Sequence, residues 1–193
     1  MSAFIHPEPI PENFIHPLFL FEVLQPKHVE LDYQALMVSR NFLRRWSEST
    51  WPEDEFLLAD NLKDLEWHFE EFKGKYAFTF TILNPSRTKC FGCIYIRPTD
   101  SIRKLSAAEK EKLTPYPYFC SYWVTDEIRS SDLERQILFS LNNWLKTSWQ
   151  FPNMLFTSNL LISEQNKFLE ENGFTLFLKL SQKIRQQLLW TSS

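Results

Sequence analysis

The sequence predicts a single α/β or α+β domain built on a mixed β-sheet. A length of 193 residues fits one domain, and 44% apolar with 16% aromatic residues supplies a bulky core. β-Branched and aromatic runs dominate the middle of the chain, and amphipathic helical patterns interleave with such runs later. The predicted order is therefore β-α-α-β-β-loop-β-α-β-α-β, followed by an ambiguous tail.

The N-terminal segment differs in composition from the rest. Residues 1–17 are predicted to form an extended arm because proline favours extended backbone, and residues 18–193 are predicted to form the domain. We expect such an arm to lie across the domain or to reach a neighbour. The prolines of this segment are Pro7, Pro9, Pro11 and Pro17.

The first half of the domain combines a strand, two helices and a hairpin. Residues 58–72 carry the cleanest helical periodicity, and Gly74 is a plausible stop. Ser106 followed by Glu109 resembles a capping box, which predicts one short helix within an otherwise long loop. The predicted elements are a strand at 18–24, helices at 28–46 and 58–72, strands at 76–83 and 89–97 joined by a turn, and the loop at 98–117.

The second half alternates strands with helices. Ser131 or Asp132 is predicted to cap one helix, while Ser163 caps the next and Gly173 ends it. The tail from residue 181 fits a helix or a last strand over 187–191. The predicted elements are a strand at 118–125, a helix to about residue 146, a strand at 153–157, a helix at 163–172 and a strand at 174–180.

Composition excludes several classes of function. A net charge of −3 argues against nucleic acid as the main partner, which needs a basic face. Three glycines cannot assemble a P-loop or a dinucleotide fingerprint. Three cysteines are no disulfide framework and suit a reducing cytoplasm. No apolar run approaches the roughly 20 residues of a membrane span, so no membrane partner is expected.

The pair Cys90 and Cys93 has the C-x-x-C spacing of some metal sites. A zinc site of this type needs a second pair of ligands at similar spacing. The sequence offers no such pair, since it has only Cys120 and four scattered histidines besides. Because residues three apart in a regular strand point to opposite faces, we expect packed thiols and no metal.

Several local sequences resemble the GNAT family of N-acetyltransferases, in particular a bacterial subgroup. The element order agrees, and the resemblance covers roughly residues 18–191. The resembling segments are the first helix with His28-Val-Glu-Leu-Asp-Tyr33 and Ser39-Arg40, the second helix with Asn61-Leu-Lys-Asp-Leu65 and His68, the hairpin segments 77–83 and 90–96, and Glu170-Glu-Asn-Gly-Phe174.

The resemblance implies the acyl-CoA N-acyltransferase fold: a mixed sheet flanked by about four helices and split in a V between strands 118–125 and 153–157. Acetyl-CoA would lie in the split as co-substrate, its pantetheine arm on strand 118–125 and its pyrophosphate at the start of the following helix, where free N–H groups favour anions. The residues implied to bind it are Trp123, Val124, Thr125, Arg129, Ser130, Ser131, Asp132, Leu133 and Glu134.

The sequence departs from the family at this loop. Arg129 matches, but Asp132 and Glu134 replace two small residues that let the backbone approach a phosphate. Leu169 stands where the family often has a tyrosine acid, and Ile162 stands where it has an asparagine.

Asp126 and Glu127 follow the strand beside the expected split, where a carboxylate deprotonates an amine directly or through water. Their alternative role is solvation or charge pairing at the helix start. Tyr122 is a candidate proton donor, with core packing as its alternative.

Two functions follow. The first is N-acetyl transfer to a small amine or peptide by direct attack, and the second is a catalytically inactive GNAT-fold protein that binds another small molecule or a protein. A carboxylate of Asp132 or Glu134 inside the phosphate loop would favour the second. The arm and the aromatic residues also permit a homodimer.

Overall fold

The structure, a computed structural model, describes residues 6–180 and 186–192. Its sheet has eight strands: β1 (Asn13–Ile15), β2 (Leu20–Val23), β3 (Phe78–Leu83), β4 (Cys90–Pro98), β5 (Tyr118–Val124), β6 (Met154–Asn159), β7 (Phe174–Lys179) and β8 (Gln187–Ser192). Their order across the sheet is β1-β2-β3-β4-β5-β6-β8-β7. Neighbours run antiparallel except β5 and β6, which run parallel.

Six α-helices occur in the described residues, where about four were expected. They are α1 (Val29–Val38), α2 (Arg40–Ser47), α3 (Leu58–Lys73), α4 (Ala107–Leu113), α5 (Asp132–Thr147) and α6 (Ser163–Glu171). None of the described helices is both long enough and apolar enough to cross a bilayer.

The helix predicted over 28–46 is in fact two helices. Ser39 separates α1 from α2 with φ −102° and ψ 8°, which is not helical. Its N–H still bonds to the carbonyls of Ala35 and Leu36, and its carbonyl accepts from Leu43 N–H. The chain therefore bends at Ser39 without leaving its backbone groups unpaired, and periodicity alone does not reveal the break.

Other elements follow the sequence closely. The Ser106 hydroxyl accepts from Glu109 N–H, which confirms the capping box that starts α4. Ser163 is the first residue of α6, and Ile162 holds the cap position, so the predicted cap was wrong by one residue. The tail forms β8 where it is described, and residues 181–185 lie outside the described part.

Residues 13–15 of the predicted arm form the edge strand β1. Phe14 lies opposite Phe21 of β2, and their rings stack with centroids 5.1 Å apart. The carbonyl of Glu12 also accepts from Val23 N–H at 3.2 Å. This part of the arm therefore extends the sheet of its own domain.

Alternate residues of the strands serve two cores on opposite faces of the sheet. The first core cluster packs against α5, and Trp144 meets Phe80 edge-to-face with centroids 5.0 Å apart. The second core cluster lies under α1 and α2 and contains Trp123 and Cys93. Tyr122 and Trp123, adjacent on β5, therefore belong to different cores.

We predict a pH-dependent stability centred on His28, which precedes α1. Its Nδ1 accepts from Gln25 N–H at 3.1 Å, and the side chain is buried. Burial, with a smaller effect of Lys27, lowers the pKa of His28 from 6.5 to about 4, while Glu22 opposes the shift. As the pH falls, His28 is therefore protonated in the unfolded chain before it is protonated in the folded chain. Neutral His28 makes its full contribution to the free energy of unfolding above pH 6.5. This contribution is lost as the pH falls toward 4.

Urea unfolding at several pH values checks this expectation. The His28→Gln variant keeps a polar side chain without the titrating group. It should therefore show a smaller fall in unfolding free energy over the acid range than the unsubstituted chain. Equal falls in both proteins would contradict the assignment.

Candidate functional site

The sheet opens between β5 and β6. The two strands pair in parallel only from Tyr118 opposite Met154 to Cys120 opposite Phe156. Beyond Cys120, β5 continues beside β4, while β6 continues beside β8 as far as Asn159. The separation produces the V-shaped split that the family resemblance implies.

Two carbonyls of β5 face this split. Thr125 N–H donates to Phe91 of the neighbouring β4 segment, so the odd-numbered residues of β5 direct their backbone groups toward β4. The backbone groups of Tyr122 and Val124 therefore point the other way. Each carbonyl is bound by a side chain: Gln165 Nε2 donates to Tyr122 O at 3.3 Å, and Arg129 Nη2 donates to Val124 O at 3.2 Å.

The loop before α5 holds a carboxylate of its own chain. Ser130 has φ +58°, and its N–H donates to Glu134 Oε2 at 2.5 Å. The other carboxylate oxygen accepts from Tyr122 Oη at 3.1 Å. Ser131 is the N-cap and accepts from Glu134 N–H. Glu134 is 3% exposed, and its carboxylate occupies one of the loop N–H groups to which the resemblance assigns the pyrophosphate.

Opposing effects act on this carboxylate. Burial raises the pKa of Glu134, while the bonds from Ser130 N–H and Tyr122 Oη and the charge of Arg129 lower it. The pKa of Tyr122 is also raised, first by burial and then by Glu134. The Tyr122 proton therefore stays on its oxygen, within a buried pair.

Arg129 lies at the mouth of the split with most of its side chain buried. Its guanidinium is 3.5 Å from the ring centroid of Phe42 on α2. It also donates to Asp126 Oδ1 at 2.5 Å. Asp132, by contrast, is exposed and pairs with Arg135, so the two loop carboxylates point in different directions.

Unsatisfied polar atoms gather around the split. Six buried side-chain nitrogen or oxygen atoms of the described residues have no hydrogen-bond partner. Three of them, Thr125 Oγ1, Arg129 Nε and Gln165 Oε1, belong to residues at the end of β5, at the loop or at the split. Because such atoms are costly to bury without a partner, these three are candidate contacts for a polar ligand or for water.

The structure separates the predicted site residues. Asp126 and Glu127 have exposed side chains, and they pair with Arg129 and Lys89 respectively. Tyr122 is buried with its hydroxyl on Glu134, in the arrangement that the core-packing alternative describes. Trp123 lies on the opposite face, where its Nε1 donates to a tyrosine of β4 at 3.2 Å.

Several residues of this region were not predicted. Gln165 and Phe42 reach the split from α6 and α2, which no local pattern reveals. Asn159 Nδ2 donates to the carbonyls of Arg45 and Trp46, which fastens the end of α2 to β6. A signal did exist for Glu134, because Ser131-x-x-Glu134 is itself a capping-box sequence, whose acid bends back to the backbone.

Comparisons with known proteins agree on the fold alone. No family model and no curated protein matches the sequence. Among solved structures, the chain is similar to a ribosomal-protein-S5-alanine acetyltransferase from Vibrio fischeri, with 14% identity, a TM-score of 0.67 and 93% and 95% coverage of this chain and that one. The ribosomal L7/L12 α-N-protein acetyltransferase RimL, in complex with coenzyme A, has 12% identity, a TM-score of 0.67 and 92% and 94% coverage.

A third structure extends this likeness. The microcin C7 self-immunity acetyltransferase MccE, in complex with acetyl-CoA and AMP, has 13% identity, a TM-score of 0.66 and 92% and 93% coverage. These matches confirm the predicted architecture: the chain has the fold of the GNAT acetyltransferases.

Proposed function

We propose that the protein is an N-acetyltransferase that passes an acetyl group from acetyl-CoA to an amine. The observation that carries the proposal is the set of unsatisfied polar atoms around the split, which includes Arg129 Nε beside the loop before α5. Three structural neighbours with the same fold are acetyltransferases by name, and two of them hold coenzyme A or acetyl-CoA. Fold alone does not imply function, so the polar atoms carry the greater weight.

Each part of the split has a role in this proposal. Val124 N–H polarises the thioester carbonyl, and the amine attacks that carbon directly. Arg129 and the N–H groups of Ser130, Asp132 and Leu133 receive the pyrophosphate, because Ser131 N–H already donates to the Ile128 carbonyl. The thiolate of coenzyme A leaves, and water or a carboxylate takes the proton of the amine.

Acetyl-CoA does not fit the side chains as they stand. Glu134 occupies Ser130 N–H, and Gln165 and Arg129 occupy the two carbonyls of β5. Binding therefore requires Glu134 to leave the loop, and the cost of that movement weakens the apparent affinity.

The acceptor is proposed as an amine of a peptide or a small molecule. Two of the neighbours are named for ribosomal proteins, and MccE is bound to AMP. These names support both acceptor classes. The predicted homodimer and cytoplasmic location stay predictions.

A second function is favoured by one observation. The carboxylate of Glu134 lies in the phosphate loop, which is the arrangement expected of an inactive GNAT-fold protein. Such a protein would bind another small molecule or a partner protein at the same face. The test below separates the two functions.

Thermal unfolding with about 1 mM acetyl-CoA tests the proposal. A dissociation constant of about 10 μM adds about 2.7 kcal/mol of stability, or roughly 5–10 °C in Tm for a chain of this size. We expect Arg129→Ala to abolish the shift. Arg135→Ala should retain it, because Arg135 is exposed and pairs with the exposed Asp132 of the same helix.

Release of free coenzyme A thiol in the presence of peptide and polyamine acceptors then checks transfer. No shift in the unsubstituted chain and none after removal of the Glu134 carboxylate would overturn acetyl transfer and leave the binding function.

A further inference from the structure

An irregularity in β4 brings two cysteines to one face of the sheet. Ile82 lies opposite Gly92 while Leu83 lies opposite Cys90, so Phe91 is an extra residue in β4. The extra residue reverses the alternation between the two thiols, and both Cys90 and Cys93 lie in the second core cluster. The expectation that they point to opposite faces was therefore wrong.

A carboxylate from α1 meets these thiols. Cys93 Sγ donates to Asp32 Oδ1 at 3.2 Å. The two sulfur atoms and an oxygen of Asp32 all lie within 4.8 Å of one another. All three side chains are buried, with exposed fractions of 3% for Asp32, 4% for Cys90 and 1% for Cys93.

No cation pairs directly with the cluster in the described part of the chain, although the charge of His68 acts on Asp32 from a distance. Asp32 makes no salt bridge within the described residues, and its other hydrogen bond comes from Asn61 Nδ2 at 3.0 Å. Asn61 Oδ1 is buried and also has no partner there. Burial raises the pKa of Asp32 and of Cys93. A buried carboxylate beside two thiols and an orphan amide oxygen is expensive unless a cation completes it.

We propose that Asp32, Cys90 and Cys93 bind a structural zinc ion. Zinc takes thiolate sulfur at about 2.3 Å and carboxylate oxygen at about 2.0–2.2 Å, so two sulfurs on one tetrahedral ion lie about 3.8 Å apart. The observed limit of 4.8 Å accommodates that spacing.

Two thiolates and one carboxylate suit a borderline-soft ion and exclude magnesium and calcium, which prefer oxygen alone. Asn61 orients the carboxylate through the hydrogen bond from its Nδ2 to Asp32. The ion would link α1 to the irregular part of β4, next to Gly92, whose backbone approaches β5 closely.

Metal content of the purified chain tests this site. We expect about one zinc per chain after expression with zinc and purification under reducing conditions without chelator. Refolding with Co²⁺ should produce the thiolate-to-cobalt charge-transfer band and the visible bands of a tetrahedral ion. Cys93→Ser should weaken zinc binding by at least about 100-fold.

Cys120 provides the matched control. It is fully buried on the other face of the sheet, so Cys120→Ser removes an equally buried thiol and should leave both signals unchanged. Asp32→Asn should reduce zinc retention while the cobalt charge-transfer band persists, because both thiolates remain.

Less than about one tenth of a zinc per chain in the unsubstituted protein, with no cobalt band after refolding, would overturn the proposal. A cobalt charge-transfer band of undiminished intensity in Cys93→Ser, or a Cys90–Cys93 disulfide found by thiol counting in the fresh protein, would also overturn it. Circular dichroism establishes that each variant is folded, and a second variant, Cys90→Ser, provides the same comparison where Cys93→Ser fails to fold.

Discussion

Gly92→Ala is expected to destabilise the fold by about 2–6 kcal/mol, the sum of backbone strain and overpacking. Gly92 has φ +148°, a conformation that alanine rarely adopts. A Cβ at this position would stand 2.0 Å from the carbonyl oxygen of Trp123 on β5. The obstacle is backbone of a central strand, which cannot rotate away. Urea unfolding of both proteins measures the difference.

Gly173→Ala is the matched control. Gly173 also has a positive φ, +83°, but a Cβ there would meet nothing within 4 Å. Only the strain remains, so the expected cost is about 1 kcal/mol. Equal losses of unfolding free energy at Gly92 and Gly173 would contradict the prediction. They would show that the close contact between β4 and β5 adds nothing to the cost of the Gly92 substitution.

The same region shows what the sequence could not predict. The strands on both sides of the 84–87 turn follow from their β-branched and aromatic residues, and the structure confirms this hairpin. Gly92, an isolated glycine within the predicted strand, is a local signal of a bulge, but it does not identify Phe91 as the extra residue, because a bulge is defined by the partner strand. One unpredicted residue therefore reversed the expected orientation of Cys90 relative to Cys93.

The candidate site likewise has features that could be predicted from the sequence and features that could not. The position of the split and of the loop before α5 was predictable, since the family resemblance implies both. The occupants were not, because Gln165 and Phe42 come from helices distant in sequence. Glu134 lies between these cases: its loop was identified and its charge noted, but the direction of its side chain depends on Tyr122, twelve residues earlier.

Glu134→Ala is expected to strengthen acetyl-CoA binding by about 10-fold to 100-fold. In the unsubstituted chain the binding-competent state requires Glu134 to leave Ser130 N–H, and a minor state of this kind is populated at about 1–10%. The substitution removes the competing carboxylate and its repulsion of the pyrophosphate. Isothermal titration calorimetry of both proteins at one salt concentration measures the change.

The other loop carboxylate supplies the control for this prediction. Asp132 is exposed and pairs with Arg135, so Asp132→Ala should change the affinity little. Glu134→Ala also leaves Tyr122 Oη buried without its acceptor, at a cost of about 1–3 kcal/mol in stability. The double variant Tyr122→Phe with Glu134→Ala also removes that hydroxyl. It therefore tests acetyl-CoA binding at the loop without the cost of an unpaired buried group.

The comparison of these variants distinguishes two roles of Glu134. Its carboxylate either competes with the pyrophosphate for the loop or only stabilises the loop. If Glu134 competes with the pyrophosphate, affinity rises in Glu134→Ala and in the double variant alike, whatever their stabilities. If the carboxylate is only structural, both variants lose stability and neither gains affinity. In that case Glu134 does not compete with the pyrophosphate, and the affinity of the unsubstituted chain for acetyl-CoA decides between the two functions.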